Sequence, residues 1–257
     1  MNRKKRKKIS SSAYKKRNYR QTVAASAGLV SNFVTVKETD LLILSAGNIE
    51  EEGYHFVHRY RNQLENYIGS HPDFLTALIP LESDVLAPPI IKDMLQAATA
   101  ANVGPMAAVA GAIAEYVGRD LLDTGLEEVM VENGGDIFLK RNDDCITAIF
   151  SGQSPLNKKV GIKIPAGSMP IGICTSSGTV GHSLSLGQAD SVTVLAASTP
   201  LADAAATRLG NEISSAGKEN LNHALEIART IPGLLGVVII CGEQMGAWGE
   251  IDLVGLD

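Results

Sequence analysis

Cysteine is scarce in this chain: three residues in 257, Cys145, Cys174 and Cys241, far apart and without Cys-x-x-Cys spacing. That pattern supports neither a zinc site nor a disulfide framework and fits a reducing, cytoplasmic setting. Aromatic residues make up only 5% of the chain, while alanine and glycine are plentiful, so close helix packing and many tight turns are expected. No apolar run reaches membrane-spanning length. The familiar nucleotide and hydrolase signatures are missing too: no GxxxxGK[ST], no GxGxxG after a strand, no GxSxG.

Acid is absent from the first 20 residues, which hold ten Lys and Arg. The rest of the chain therefore sets 13 basic residues against all 28 acidic ones. A basic run of this kind can bind nucleic acid or anionic lipid. Its aromatics are only Tyr14 and Tyr19, and no nucleic-acid fold follows it. Residues 1–20 are thus expected to be a disordered, solvated tail, and nucleic acid enters as a partner only through it. Ile9-Ser10-Ser11-Ser12 follows the basic run where a secretory signal would need an apolar segment. Residues 21–257 are expected to form a single domain, and a homo-oligomer is compatible with it.

Along the chain, Phe33–Leu44 reads as two strands joined at Glu38-Thr39-Asp40. A helix opens at Glu50-Glu51-Glu52 and runs to about Ser70, with Tyr54, Val57, Tyr60, Leu64, Tyr67 and Ile68 at helical spacing. After Pro88-Pro89 a helix covers about Ile90–Ala100. Another starts at Pro105, with an apolar stripe of Met106, Val109, Ile113, Val117 and Leu121. Glu128–Glu132 and Ile137–Lys140 flank the turn Asn133-Gly134-Gly135-Asp136 as a hairpin. Further strands are expected at Cys145–Phe150, Lys159–Ile164, Ile171–Cys174 and Ser191–Ala196. Helices follow at Leu201–Asn211 and about Leu221–Thr230, and Leu235–Cys241 with Glu250–Val254 reads as a closing hairpin. Helices interspersed among hairpin-like strands, without strict alternation, predict an α+β fold: a mainly antiparallel sheet with helices on one side.

Three segments carry more than generic turn chemistry. In Asn133-Gly134-Gly135-Asp136 the two glycines leave backbone N–H groups for a ligand, and Asn133 and Asp136 can bond a base or ribose; an ordinary hairpin turn explains the same residues. Thr175–Ser183 holds five hydroxyls and two glycines, with His182 near its end, and can form an anion-binding nest or serve as a structural loop. In the alanine-rich helix, Asp203 and Thr207 stand four apart and share a face. A carboxylate beside a hydroxyl suits a hard cation such as magnesium, while a polar cap on a packed helix explains the pair alone. Ser176 or Ser177 with His182 and Asp203 has the residue types of a hydrolase triad, a combination that often arises by chance. Cys174, beside the hydroxyl loop, reads as a small buried residue before a reactive thiol. His55, His58, His71 and His223 lie on polar stretches and read as surface residues.

Gly111-Ala112-Ile113-Ala114, Val131–Ile137, Thr175–Gly178, and Val192-Thr193-Val194 with Ala202–Thr207 occur in the order seen in ApbE proteins. The chain resembles that superfamily of magnesium-dependent flavin transferases. From about Tyr19 onward it is most similar to an ApbE-related family of archaea and anaerobic bacteria whose activity is not settled. The run Gly172–Ser183 carries that second likeness. The resemblance implies an ApbE-like fold, Mg2+ and FAD or another nucleotide as cofactors, and transfer of FMN to a hydroxyl of a protein acceptor. It implies Asp203 and Thr207 as metal ligands, with a carbonyl of Ala112 or Ala114 beside them. Asn133, Gly134, Gly135 and Asp136 fall in the nucleotide region. Thr175, Ser176, Ser177, Gly178 and Thr179 fall near the pyrophosphate, with Ser177 and His182 as catalytic groups.

The chain departs from the transferases in places. Glu115-Tyr116 follows the GAIA segment where ApbE proteins have Lys-Gly. Their His-Ile-Ile-Asp-Pro-x-Thr-Gly segment is missing, and Gly178-Thr179-Val180 replaces the SGDY aromatic. Two readings follow: a magnesium-dependent enzyme that transfers FMN or cleaves a pyrophosphate, and a non-catalytic ligand-binding or assembly protein that kept the ApbE fold.

Overall fold

The structure is a computed structural model and describes residues 28–178 and 187–256. The basic segment 1–20, Thr179 and His182 lie outside the described residues. Among the described residues, eleven strands and six α-helices follow the α+β expectation. Eight strands form one antiparallel sheet in the order β1-β2-β3-β4-β7-β8-β9-β10. They are β1 Val30–Val36, β2 Thr39–Ser45, β3 Val129–Asn133, β4 Asp136–Lys140, β7 Ile171–Ser176, β8 Ser191–Ala196, β9 Leu234–Cys241 and β10 Gln244–Gly249. A second sheet sets β5 Cys145–Ala148, β6 Val160–Ile164 and β11 Asp252–Gly255 in the order β11-β6-β5.

The period-two alternation of strand side chains sends them to two different cores. Leu41 and Ile43 of β2, Val192 and Val194 of β8, and Val237 and Ile239 of β9 face the helices. Leu42, Leu44, Leu195, Val238 and Ile240 between them pack instead with Ile162 and Ile164 of the small sheet and with Ile149, just beyond β5. The central strands are therefore apolar on both faces, and β8 is buried along its whole length. The helices do lie on one side of the large sheet; the small sheet covers the other.

Those helices are α1 Glu50–Ser70, the single turn α2 Asp73–Thr76, α3 Pro89–Ala101, α4 Val109–Asp123, α5 Thr199–Glu212 and α6 Lys218–Thr230. On α1, Val57, Tyr60 and Leu64 are buried as the spacing predicts, whereas Tyr54 is exposed. Pro105–Ala108 is a 3-10 turn, and the α-helix proper begins at Val109. Helix α5 packs against β7 and β8 beneath it and against α3 and α4 beside it. Among the described residues, no single helix is long and apolar enough to cross a membrane.

Two boundaries differ from the sequence reading. The first hairpin turns at Lys37-Glu38, not at Glu38-Thr39-Asp40, because Thr39 and Asp40 pair with Val36 and Thr35. The closing hairpin is β9 with β10, turning at Gly242, and Glu250–Val254 is not its second arm. Gly249, at φ +95°, ends β10, and the chain then crosses to pair β11 with β6. A strand of alternating exposed and half-buried residues such as β10 has too little apolar pattern to be seen in sequence.

Candidate functional site

One end of the large sheet gathers the segments singled out above. Asn133 ends β3 and Asp136 begins β4, and the two pair across a two-residue turn. Gly134 and Gly135 take φ values of +71° and +114° there, a backbone that side chains resist and glycine adopts freely. Asp136 is in register with Cys174 of β7, so Thr175 and Ser176 come alongside the turn. Helix α4 begins beside this turn, where Asn133 meets Ala110, and α5 begins over Gly172 and Cys174 of β7.

Asp203 lies in the second turn of α5 and is 9% exposed. Its Oδ2 accepts the Gly111 N–H at 2.9 Å, and the carboxylate also accepts the Ala110 N–H. Both amides belong to the first turn of α4, whose own preceding residue, Ala108, offers no side-chain cap. Asp203 thus caps α4 from a neighbouring helix, satisfying donors that a helix start leaves unpaired. The contact is reciprocal. Glu115 of α4, 4% exposed, accepts the Thr199 N–H at the start of α5 at 2.6 Å and holds Arg119 on its other side.

This cross-capping requires close approach. A Cβ on Gly111 would stand 2.5 Å from the Thr199 carbonyl oxygen and 2.9 Å from Asp203 Cβ. Gly111→Ala is therefore expected to push α4 off α5 and cost about 1–3 kcal/mol of stability, the usual range for overpacking, read as a lower midpoint in urea unfolding.

Asp136 stands near enough to Asp203 for the two charges to interact. Burial and the Asp203 charge, with Glu132 adding, hold the Asp136 carboxyl well above the usual carboxylate range. Cys174 and Thr175 oppose that shift, and the Cys174 thiol donates to the Thr199 carbonyl at 3.4 Å. Burial likewise pushes the Asp203 carboxyl up to about 7, against the opposing pull of the Gly111 and Ala110 amides. Among the described residues, the two carboxylates share a buried site without a lysine or arginine ion pair, an arrangement that favours either a bound proton or a bound cation.

The other expected residues divide. Thr207 is half-buried one turn beyond Asp203, and Ala114 is fully buried one turn beyond Gly111. Asn133 donates from Nδ2 to the Ala110 carbonyl at 3.1 Å and so ties the β3–β4 turn to the α4 start. The Gly135 N–H is not open to a ligand, because Glu132 Oε1 accepts it at 2.8 Å. The Thr175 hydroxyl is shared with Thr193 of β8 at 2.9 Å. Ser176 and Ser177 are half-buried at the end of β7. Gly178 serves the backbone: its N–H donates to Ala189, and a Cβ there would meet the Gly187 carbonyl at 2.1 Å. Cys174 is fully buried and its thiol is pushed up by burial, the small core residue expected of it. His55, His58, His71 and His223 are exposed.

Glu115 and Tyr116, the departures from the GAIA-Lys-Gly pattern, both have structural employment. Glu115 caps α5, and the Tyr116 hydroxyl donates to Asp93 of α3 at 2.7 Å. Sequence reasoning passed over Glu115; the available signal was a carboxylate set among buried alanines and valines.

Comparison with known proteins identifies the family and the fold. The family model described as "AbpE bacteria" matches residues 21–248. A UPF0280 protein of Methanococcus maripaludis strain C5 is 42% identical over 221 residues, covering 85% of this chain and 90% of its own. The chain belongs to the UPF0280 family. A second member, from Methanococcus aeolicus, is 41% identical over 195 residues, covering 75% of this chain and 79% of its own. Among solved structures, the flavin transferase ApbE from Vibrio cholerae superposes with a TM-score of 0.57 at 14% identity, over 85% of this chain and 96% of that one. The apo flavinyl transferase ApbE of Pseudomonas stutzeri gives 0.54 at 12% identity, over 86% and 94%. At such identities the likeness establishes the ApbE fold for this UPF0280 protein.

Proposed function

We propose that this protein binds Mg2+ and a flavin nucleotide, FAD, at the sheet end between the Asn133 turn and α5, and acts on the pyrophosphate. The observation that carries the reading is the buried pair Asp136 and Asp203, which among the described residues has no lysine or arginine ion pair. Such a pair fits a divalent cation, and Asp203 and Thr207 would hold it, with Ala114 supplying a backbone carbonyl. Bound there, the cation would neutralise charge developing on the phosphate oxygens.

The chemistry is phosphoryl-type transfer. The oxygen of an acceptor hydroxyl, on a partner protein or on water, bonds to the phosphorus that carries riboflavin. The bond from that phosphorus to the bridging oxygen breaks, and AMP leaves with the electron pair. His182 is assigned to take the proton of the attacking hydroxyl, and Ser177 to orient a phosphate oxygen. Asn133, Gly134, Gly135 and Asp136 are assigned to the nucleotide, and Thr175, Ser176, Gly178 and Thr179 to the pyrophosphate. Asp203 holds the start of α4 in place through Ala110 and Gly111. The free thiols, two of them buried, support a reducing, cytoplasmic setting.

A second reading has its own observation. The Gly135 amide and the Asp203 carboxylate already have partners within the protein. That favours a ligand-binding or assembly protein that kept the fold without turnover. The test is release of AMP from FAD, followed by chromatography with and without Mg2+. The enzyme reading expects metal-dependent release; FAD binding with no AMP supports the second reading, and no FAD binding overturns both.

A further inference from the structure

Among the described residues, twelve large apolar side chains are exposed, and five of them fall in the short stretch between α1 and α3. Leu78, Ile79, Val85 and Leu86 are the most exposed of the twelve, from 70% to 91%, and Leu75 beside them is 52% exposed. The other seven are spread over β1, α1, the β5 region and the β9–β10 hairpin.

The stretch holds no helix or strand beyond the single turn α2, yet contacts fix it in place. Tyr67 of α1 ties its two arms together. The Tyr67 ring meets Phe74 edge-on, 5.2 Å between centroids, and its hydroxyl donates to Asp84 at 3.1 Å. Asp84 also accepts the Leu86 N–H at 2.8 Å. Gly104 leaves no room for a Cβ against the Ala77 carbonyl, so the arm that carries Leu78 and Ile79 rests on the backbone leading into α4. Leu75 follows Phe74, and Val85 and Leu86 follow Asp84, so the exposed side chains share the surface that Tyr67 organises.

This surface offers aliphatic contact and little else. Residues 62–91 contain no lysine or arginine, which leaves nothing there for phosphate or nucleic acid. The Asp84 carboxylate is occupied by Tyr67 and Leu86. At about 100 Å² per aliphatic side chain, the five expose on the order of 400 Å². A homodimer interface is about 65% apolar, so a patch of this size corresponds to roughly 600 Å² per copy. That is close to the roughly 800 Å² each partner gives to a stable interface. A fixed apolar surface needs an occupant that is always present, and a second copy of the chain is. A two-fold contact sets the patch against itself and closes at two copies.

We infer that two copies of this chain associate about a two-fold axis through the surface of Leu75, Leu78, Ile79, Val85 and Leu86. The inference is independent of the metal and nucleotide readings. Through Gly104, the contact also braces the segment that brings Ala110 and Gly111 to Asp203.

The full-length protein is followed by sedimentation velocity and by thermal melting over a range of micromolar concentrations, without metal or nucleotide. Twice the mass of one chain is expected, with a melting temperature that rises with concentration. Leu86→Glu is expected to raise the dissociation constant at least about a hundredfold, because each substitution enters the contact twice. It should also remove the concentration dependence of melting. Ile79→Ser provides a second variant, and both positions are exposed within one chain. Phe33→Ser, on β1 at the end of the strand order, is expected to leave the mass unchanged. A single-chain mass for the unaltered protein overturns the inference. So does a dimer that survives both Leu86→Glu and Ile79→Ser, or one that Phe33→Ser alone dissociates. A monomer whose basic N-terminal segment is cleaved faster by trypsin in Leu86→Glu, or that sediments with phosphatidylcholine vesicles, assigns the surface to that segment or to lipid and overturns it as well.

Discussion

Asp203→Asn is expected to abolish Mg2+-dependent AMP release, by at least about a hundredfold, while making the metal-free protein more stable. The two effects have one origin. Asparagine keeps an oxygen acceptor for the Ala110 and Gly111 amides, so α4 stays capped. It removes a buried charge that repels Asp136. The relief is expected to be about 1–3 kcal/mol at pH 8, measured by chemical denaturation in the presence of a chelator. Asp203→Ala differs: it relieves the repulsion but leaves two helix-start donors without an acceptor, at a cost of about 0.5–2 kcal/mol. Asparagine should therefore be the more stable of the two. Equal stability of the two variants would remove the capping role.

The stability of the metal-free protein should fall as pH rises from about 4 to about 7. Asp203 has a carboxyl pushed up from 3.8 to about 7 by burial, and Asp136 moves in the same direction. The folded protein holds these protons more tightly than the unfolded chain does. The corresponding stability is complete below pH 3.8, shrinks across the interval and is gone above the folded value. Mg2+ competes with the protons, so it should raise the melting temperature at pH 8 and do little at pH 5. Melting curves in a chelator and in millimolar Mg2+ at both pH values check this. A metal effect of equal size at both would contradict it.

Much of this fold was legible in the residues because their local and long-range demands agree. The apolar spacing of Val57, Tyr60 and Leu64 marked α1, and Gly134-Gly135 between β-branched runs marked the β3–β4 hairpin. The α4 stripe at Ile113, Val117 and Leu121 faces the core it announced. Strand β10 escaped because its residues alternate between exposed and half-buried, leaving no apolar face to detect.

The candidate site was legible as a set of segments, but not as contacts. Same-face spacing paired Asp203 with Thr207, yet nothing local in the sequence joins Asp203 to Gly111, 92 residues away. Glu115 was hidden for the same reason: its partner, Thr199, stands 84 residues on. Spacing within one helix reports its faces, whereas a carboxylate that caps a different helix depends on tertiary packing.

The most direct test of the account is the fate of FAD incubated with the full-length protein, with Mg2+ and with a chelator. The account predicts AMP appearing with FMN, free or joined to an acceptor, in equal amounts, saturably in Mg2+, and not with Asp203→Asn. A folded protein that leaves FAD intact and unbound in millimolar Mg2+ would contradict it.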